Sequence, residues 1–253
     1  MDLQTKLKLT KEHWENAQVE SLKDSNLRTL EIDSIVSSLQ KYMVHSLYPT
    51  LADFGCGDGL DTQEFSRYAV KSVGFDYSNE MLSRASQRRN ENLDFIHLDL
   101  ISDSVRGTYD TVVTKRCIIN LGEWSIQSRC IEKLAKAVLP GGLFIMLECF
   151  KQGFDNLNFH RNKMGLPPLD EPYHNSYLNF DETMMCLSKN FTVIETRDFS
   201  TYYYLTRCLS PRITGEKAFA MDEDMRLAAE ADDIFQGLRI GPQTLVCLRK
   251  KRE

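Results

Sequence analysis

The amino-acid sequence predicts an α/β protein built on a doubly wound, mostly parallel sheet of seven strands. Between Leu51 and Glu148, short apolar runs alternate with amphipathic stretches. That alternation is typical of βα units whose strands are covered by helices on both faces. The glycine-rich segment Asp53–Gly59 directly follows the first apolar run, where such sheets bind their ligands. Two more apolar runs near the C-terminus complete the predicted sheet.

Each predicted strand is a short apolar run bounded by polar or turn-forming residues. The seven strands are expected at Leu51–Phe54, Ser72–Phe75, Asp94–Leu98, Thr111–Thr114, Leu143–Cys149, Thr192–Arg197 and Thr244–Leu248. None of these runs contains a proline, so all of them fit strands within a sheet.

The stretches between the strands predict helices. They are expected near Gly59–Tyr68, Asn79–Gln87, Glu123–Val138 and Asp181–Lys189. The helix before the fifth strand should end in Leu139-Pro140-Gly141-Gly142, because proline cannot continue a helix and glycine accepts the positive φ of a turn.

The remaining segments are expected to cover the sheet within a single domain, 1–253. Residues 1–47 are polar and amphipathic and predict two helices that form a lid or a flank, and residues 48–150 form the predicted core. Residues 151–180 carry Gly, Pro and Asn and predict irregular structure. Residues 199–242 predict an insert with a helix at Asp222–Phe235. Its run of three tyrosines, at 202 to 204, fits either an edge strand or the wall of a binding site.

Composition excludes several classes of protein. The chain has 253 residues, 42% hydrophobic and 26% charged, as in ordinary globular proteins. Its 36 Asp and Glu exceed its 31 Lys and Arg, which gives a net charge of -5 and a pI near 5.6. Such a chain lacks the broad basic surface that long nucleic acid requires.

The seven cysteines form no C-x-x-C pair, so we expect reduced, mostly buried thiols. The start has no apolar signal-peptide region, and no long apolar run occurs. We therefore expect a cytoplasmic protein without membrane insertion, either a monomer or a homodimer.

The glycine-rich segment indicates a nucleoside cofactor. Its glycines let a ligand approach the backbone, and the helix that follows favours an anionic group. Asp76, 21 residues after Gly55, ends the second strand and can accept hydrogen bonds from ribose hydroxyls, although it can also cap the next helix. The dinucleotide fingerprint requires a third glycine at position 60, where this sequence has Leu60. NAD is therefore the weaker interpretation.

This spacing resembles motif I of the class I S-adenosylmethionine-dependent methyltransferases. The resemblance continues through Gly74-Phe75-Asp76-Tyr77-Ser78, His97-Leu98-Asp99-Leu100 and Leu139-Pro140-Gly141-Gly142, and covers about residues 48–150. It implies a Rossmann-like fold and S-adenosylmethionine as cofactor, with S-adenosylhomocysteine as product. The cofactor residues that it implies, in chain order, are Asp53, Gly55, Cys56, Gly57, Asp76, Tyr77, Met81, Asp99, Leu100, Lys115 and Arg116.

The resemblance also assigns parts of the cofactor to these residues. The methionine end would lie on Asp53, Gly55 and Gly57, the ribose on Asp76 and the adenine amino group on Asp99. Tyr77 and Met81 would line the adenine, and the segment Lys115-Arg116-Cys117 would face the sulfonium. For Cys56 we favour a packing role over that of a nucleophile.

Downstream segments are similar to a branch of methyltransferases from surface-polysaccharide and related biosynthetic clusters. These segments are Gly165-Leu166-Pro167-Pro168, Tyr173-His174-Asn175 and Asp198-Phe199-Ser200-Thr201-Tyr202-Tyr203. This implies O-methylation of a sugar, a nucleotide-linked sugar or a phosphorylated metabolite. We expect the acceptor to bind at His160, Arg161, Tyr173, Tyr177, Tyr202 and Tyr203. Arginines at 116, 161, 207 and 212, with Lys163, would hold phosphate oxygens.

The catalytic candidates are His174, Glu148 and Arg116. His174 is expected either to act as a general base or to brace its loop, and Glu148 is the second candidate base. No carboxylate cluster accompanies Lys115 and Arg116, so no catalytic metal is expected. The alternatives are N-methylation of a small amine, a non-catalytic cofactor-binding protein and, more weakly, a nicotinamide dehydrogenase.

Overall fold

The computed structural model describes residues 2–16, 23–43, 47–215, 223–231 and 234–252. Its centre is a seven-stranded sheet in the order β3-β2-β1-β4-β5-β7-β6. The strands are β1 Tyr48–Phe54, β2 Ala69–Asp76, β3 Leu93–His97, β4 Tyr109–Lys115, β5 Val138–Cys149, β6 Phe191–Asp198 and β7 Gln243–Lys250. All pairings from β3 through β5 are parallel, and β7 runs antiparallel to both of its neighbours. The predicted fold class and all seven predicted strands are confirmed.

Ten α-helices are described on the two faces and over one edge of this sheet. They are α1 Leu3–Trp14, α2 Ser25–Tyr42, α3 Leu60–Phe65, α4 Asn79–Ala85, α5 Trp124–Ala137, α6 Lys151–Lys163, α7 Phe180–Ser188, α8 Ser200–Tyr204, α9 Ser210–Thr214 and α10 Glu223–Ala231. The predicted helix over Asp222–Phe235 is observed as the shorter α10, and residues 222, 232 and 233 lie outside the described part of the chain.

The core consists of two apolar clusters, one on each face of the sheet. One cluster includes Ile131 and Leu134 of α5. The other includes Leu27, Ile35 and Leu39 of α2, each at most 1% exposed. The prediction of a lid over residues 1–47 is therefore wrong for α2, which is the flank that the sequence also allowed. Because α2 buries an apolar face against the sheet, it belongs to the core, and only α1 lies as a cover.

Two predictions of local structure are wrong, and of the two alternatives for the tyrosine run the edge strand is excluded. The segment Leu139–Gly142 does not separate α5 from the next strand, because β5 already begins at Val138 and Gly141, at φ 78°, lies where its pairing with β4 shifts register. Residues 151–163 form α6 instead of an irregular segment. The three tyrosines lie on α8, and a π-helical turn, Leu205–Leu209, follows them.

The strand order places the ends of β1 and β4 side by side. The chain leaves β1 toward β2 and β3 and then returns to the other side of β1 as β4. In doubly wound sheets, ligands bind at the carboxyl ends of the strands where the order reverses in this way. The loops after Phe54 and Lys115 therefore meet at the expected position of a binding site.

Candidate cofactor and acceptor site

A cavity of about 970 Å³ opens at the carboxyl ends of the parallel strands. Its walls include the loops after β1, β2, β3 and β4, together with residues of α1, α2 and α6. Ligand pockets in proteins usually have ~300–1,000 Å³. A cavity at the upper end of this range has room for two small molecules side by side.

The loop after β1 is shaped by glycines in the left-handed region. Gly55 has φ 81°, and a Cβ there would lie 2.6 Å from Cys117, so only glycine lets the loops after β1 and β4 pack together. Gly57 has φ 54°, lines the cavity, and has no atom within 4 Å of the position of a Cβ. The backbone at Gly57 is therefore open to a ligand.

Asp76 is fixed at the end of β2 by two backbone donors. Its Oδ2 accepts from the nitrogen of Gly57 at 2.9 Å, and its Oδ1 accepts from the nitrogen of Ser78 at 2.9 Å. Burial raises the pKa of Asp76, while these hydrogen bonds lower it. The carboxylate keeps further lone pairs on the cavity wall, where ribose hydroxyls can donate to it.

The loop after β3 completes one end of the cavity. Tyr77, Met81, Asp99 and Leu100 all line it, as predicted from the sequence. Asp99 Oδ1 accepts from the nitrogen of Ile101 at 2.9 Å, and its Oδ2 accepts from Lys11 at 2.6 Å. Lys11 belongs to α1, so the cover of the cavity is attached to the carboxylate predicted to receive the adenine.

Other contacts also hold α1 across this end of the cavity. Tyr77 donates to the carbonyl of Thr10 at 3.4 Å, and Ser78 donates to the carbonyl of Trp14 at 3.1 Å. Trp14 and His13 line the cavity themselves. α1 is thus a wall of the site and shields its contents from water.

Asp53 does not lie where the sequence predicted it. It is 2% exposed, accepts from the hydroxyl of Thr62 at 2.7 Å and is not among the residues that line the cavity. Burial raises the pKa of Asp53 to about 7. It fixes α3 against β1 from behind the glycine loop, and so it has no direct contact surface for a methionine group.

A cluster of charged side chains lies beside the glycine loop instead. Lys115 contacts Asp61 at 2.9 Å and Glu31 at 3.2 Å, Arg28 donates to Asp61, and Arg116 lies 3.4 Å from Glu31. Arg28, Asp61, Lys115 and Arg116 line the cavity. The cluster has one more cation than carboxylates, and its mixed charges suit the ammonium and carboxylate of a methionine group.

Sequence reasoning missed three members of this cluster, namely Arg28, Glu31 and Asp61. Glu31 is 0% exposed on a helix face that buries leucine, isoleucine and serine side chains, and a charged residue at such a position is the signal that was available. Arg28 and Asp61 stand at exposed-looking positions of their helices. Only the tertiary fold shows that they meet.

Glu148, predicted as a second catalytic base, is fully buried and does not line the cavity. Its carboxylate accepts from the backbone nitrogens of Cys117 and Ile118, both at 3.1 Å, and of Ile119 at 3.4 Å. Burial raises the pKa of Glu148 to about 7, while these donors lower it. The carboxylate holds the loop after β4 in place and cannot reach an acceptor.

His174 lies on the cavity wall beneath α1. Its ring stacks on that of His13 with centroids 4.2 Å apart, and its buried Nδ1 has no hydrogen-bond partner among the described residues. Burial, assisted by His13 and Lys6, lowers the pKa of His174 to about 4. The ring is therefore neutral at pH 7 and can accept a proton or a hydrogen bond.

The predicted acceptor residues divide into two groups. Tyr177 and Tyr203 line the cavity, and burial raises the pKa of both phenols, so both keep their protons. His160, Arg161, Tyr173 and Tyr202 do not line it.

Each residue of the second group has other contacts that explain its position. Arg161 is 1% exposed and donates to the carbonyls of Pro167 and Arg207, while Tyr202 donates to Asp24 at 2.9 Å. His160 packs its ring edge against Tyr204, and Tyr173 contacts His13 at the surface. These four support the walls of the site from behind or outside.

The cysteine thiols and the potential metal ligands complete the description of the site. All seven cysteines are free, and burial raises the pKa of Cys56 and Cys117 well above the ordinary value, which keeps both protonated. Across the described ranges, no group of three or more His, Cys, Asp or Glu side chains is placed to hold a metal ion. In the same ranges, no helix has the length and apolar character needed to span a membrane.

Comparison with known proteins places the motifs in a family. Residues 51–142 match the sequence profile of a methyltransferase domain. No curated protein sequence matches the chain. Similar solved structures are numerous, and the three described next are 13 to 17% identical to this chain, so they establish only the fold.

Three of these structures illustrate the range. Magnesium protoporphyrin IX methyltransferase (ChlM) from Synechocystis PCC 6803, with bound S-adenosylhomocysteine, aligns at a TM-score of 0.60 and 15% identity over 99% of this chain and 98% of its own. The N-methyltransferase NodS from Bradyrhizobium japonicum WM9, also with S-adenosylhomocysteine, aligns at 0.59 and 13% over 98% and 99%. The [4+2]-cyclase SpnF aligns at 0.56 and 17% over 87% and 81%.

Proposed function

We propose that the chain is a class I S-adenosylmethionine-dependent methyltransferase, because residues 51–142 match a methyltransferase domain, and that it methylates an oxygen of a small hydroxylated acceptor, of which a sugar is the leading example. The observation that carries the proposal is the single cavity that joins the glycine loop, Asp76 and Asp99 at one end to Tyr177, Tyr203 and His174 at the other. Most of the predicted cofactor residues and three of the predicted acceptor and catalytic residues thus line one cavity.

The residues present fit the cofactor. Gly57 leaves open backbone beside Asp76, whose two backbone donors hold the carboxylate in place for a ribose. The Asp99 carboxylate can accept from an adenine amino group, either together with Lys11 or after Lys11 has moved away. We assign the methionine end to Arg28 and Lys115 for its carboxylate and to Asp61 for its ammonium, in place of Asp53.

The bound cofactor supplies a methyl group on a sulfonium, which is activated toward displacement by a nucleophile. The task of the protein is therefore to align the acceptor oxygen with that group and to exclude water. α1 covers the site through contacts to Tyr77, Ser78 and Asp99. Tyr177 remains a hydrogen-bond donor and can orient the acceptor.

The acceptor hydroxyl loses its proton as the bond to carbon forms. We propose that the neutral His174 ring accepts this proton or a hydrogen bond from the hydroxyl, because the ring lies on the cavity wall. A base with a pKa near 4 is weak, so orientation supplies most of the effect. Arg116 contacts Glu31 and supports the charged cluster rather than the proton transfer.

Two measurements test the proposal. Titration calorimetry should detect one site for S-adenosylhomocysteine and none for NAD. Incubation with methyl-labelled S-adenosylmethionine and an extract of the source cells should transfer label to a small molecule. If S-adenosylhomocysteine fails to bind at millimolar concentration, the cofactor assignment is wrong. Binding without label transfer would instead indicate the non-catalytic alternative.

A further inference from the structure

A polar subsite lies on the wall of the cavity over β5 and β7. Asp24, Tyr203, Arg207 and Gln243 all line the cavity although each is more than nine-tenths buried. Gln243 begins β7, which is three strands from β1 in the sheet. At ~4.8 Å per strand, this places the subsite about 14 Å along the sheet edge from the glycine loop. This wall therefore lies away from the predicted cofactor residues and is in a position to contact the acceptor.

Arg207 is held in the subsite from several sides. It lies on the π-helical turn, and its Nη2 is 2.5 Å from Asp24 Oδ2. Its guanidinium carbon lies 5.5 Å from the ring centre of Tyr202 and 5.3 Å from that of Tyr203. Arg161 donates to the Arg207 carbonyl and supports the turn from behind. π-helical turns occur frequently at functional sites.

Asp24 neutralises Arg207 within the subsite. The same carboxylate accepts from Tyr202 at 2.9 Å and from the nitrogen of Leu27, where it caps α2. Tyr203 donates to Gln243, so the amide is also held in place. Lys23 and Asp170 also line the cavity and add one charge of each sign, so the lining residues of this wall present fixed donors and acceptors without an excess of positive charge.

The neighbouring cavity wall is apolar. Phe154 and Leu157 of α6 line the cavity, as does Leu169. A phosphate entering this space would have to compete with Asp24 for Arg207 or remain close to the Asp24 carboxylate. Either alternative is costly for a buried anion, because the carboxylate cannot move to water.

We propose that the acceptor is an uncharged, hydroxyl-bearing compound with one apolar face, bound through the Asp24–Arg207 pair, Tyr203 and Gln243. Alternating donors and acceptors match the hydroxyl groups of such a compound, and Phe154 and Leu157 match its apolar face. This proposal rests on the proposed methyltransferase function and excludes phosphorylated and nucleotide-linked acceptors as substrates.

The charge of the methylated product tests the proposal with the unmodified protein. Small-molecule products labelled from methyl-labelled S-adenosylmethionine in an extract of the source cells are passed over anion- and cation-exchange columns at pH 7. We expect the label in the flow-through of both columns. Label retained on the anion exchanger and released by phosphatase or phosphodiesterase would overturn the proposal. Label retained on the cation exchanger as an amine product would also overturn it.

Variants of the subsite give a second test. Two variants, Arg207→Gln and the double variant Asp24→Asn/Arg207→Gln, should reduce label transfer about tenfold or more. Each removes buried side-chain groups that would hydrogen-bond to the acceptor, and the double variant leaves no unpaired charge. The affinity for S-adenosylhomocysteine, measured by calorimetry, should stay within about twofold. Arg212→Gln is the matched control, because Arg212 is an exposed residue of α9 and, contrary to the phosphate role predicted from the sequence, does not line the cavity.

The outcomes separate the inference from the function on which it rests. Unchanged transfer in folded double-variant protein would overturn the subsite. Loss of S-adenosylhomocysteine binding in the wild type, or wild-type binding without label in any extract fraction, would overturn the methyltransferase function itself.

Discussion

The side-chain carboxylate of Glu148 lies 3.1 Å from the backbone nitrogen of Cys117 and so ties the end of β5 to the loop after β4. The same carboxylate accepts from Ile118 and Ile119. Cys117, Ile119 and the next residue, Asn120, line the cavity. One buried side chain therefore fixes the backbone of this part of the cavity wall.

Replacement of this carboxylate should loosen the wall. In Glu148→Gln, the amide nitrogen cannot accept a hydrogen bond, so at least one buried N–H loses its partner. We expect a loss of ~1–3 kcal/mol in the free energy of unfolding and weaker binding of S-adenosylhomocysteine. Thermal unfolding and calorimetry measure these two effects. Glu182→Gln, at an exposed position on α7, is the control, and equal behaviour of the two variants would contradict this role for Glu148.

The ribose assignment predicts a cofactor effect at Asp76. Asp76→Asn keeps the size of the side chain but loses its charge and one acceptor oxygen. In the wild type, that oxygen accepts from the backbone nitrogen of Gly57 or of Ser78. We expect the dissociation constant of S-adenosylhomocysteine to rise about tenfold or more. Asp94→Asn, at an exposed position on β3, should leave it unchanged. An unaltered constant in folded Asp76→Asn would show that ribose binds elsewhere.

The ion pair between Lys11 and Asp99 predicts that α1 controls release of the cofactor. Lys11 is half-exposed, so the pair contributes modestly, ~0.2–1 kcal/mol, and salt screens it. Lys11→Met should therefore release S-adenosylhomocysteine a few-fold faster in stopped-flow measurements, and added salt should accelerate release from the wild type more than from the variant. Lys8→Met, in an exposed pair with Glu12, is the control. If release is equally salt-sensitive in both proteins, the Lys11–Asp99 ion pair has no role in release.

The sheet was predictable because its signals are local. Each strand is an apolar run of the right length, and the motif glycines lie next to each other in sequence. The helix α6 was missed because Gly153, Asn156 and Asn158 dilute its apolar face, which is carried chiefly by Phe154 and Leu157. Such a helix forms because the fold buries that face, which sequence periodicity alone does not reveal.

The sequence predicted only those site residues that belong to a local motif. Gly57, Asp76 and Asp99 follow directly from strand ends. The pairs Lys115 with Glu31 and Arg207 with Asp24 join segments 84 and 183 residues apart. No local pattern encodes such pairs, and for the same reason Arg161 was taken for a ligand residue although its partners are carbonyls from other segments.

A chelator should leave turnover intact. Within the described ranges no cluster of metal-ligating side chains is present, and Lys115 and Arg116 occupy the end of β4, where a divalent cation would be repelled. Label transfer measured with and without EDTA checks this. Loss of transfer that magnesium restores would place a metal in the reaction.

The stacked pair His13 and His174 predicts an unusual pH dependence. Because the pKa of His174 is lowered to about 4, the ring remains neutral through the physiological range, and a proton binds it only in strong acid. The maximal rate should therefore stay flat from about pH 8 to 5.5 and fall only as pH approaches 4. His174→Ala should lower the rate about tenfold to a hundredfold, with the affinity for S-adenosylhomocysteine nearly unchanged.

His13→Ala tests the cause of the shift. Removal of the stacked ring exposes His174 to water and deletes one neighbouring charge, so the pKa of His174 should rise toward its ordinary value near 6.5. The acid limb of the rate profile should then move up by about two pH units. Tyr173→Phe, which removes only the hydroxyl that contacts His13, should leave the limb in place. An acid limb near pH 6.5 in the wild type, or a limb whose position does not change in His13→Ala, would show that His174 does not accept the proton. Orientation alone would then account for the rate.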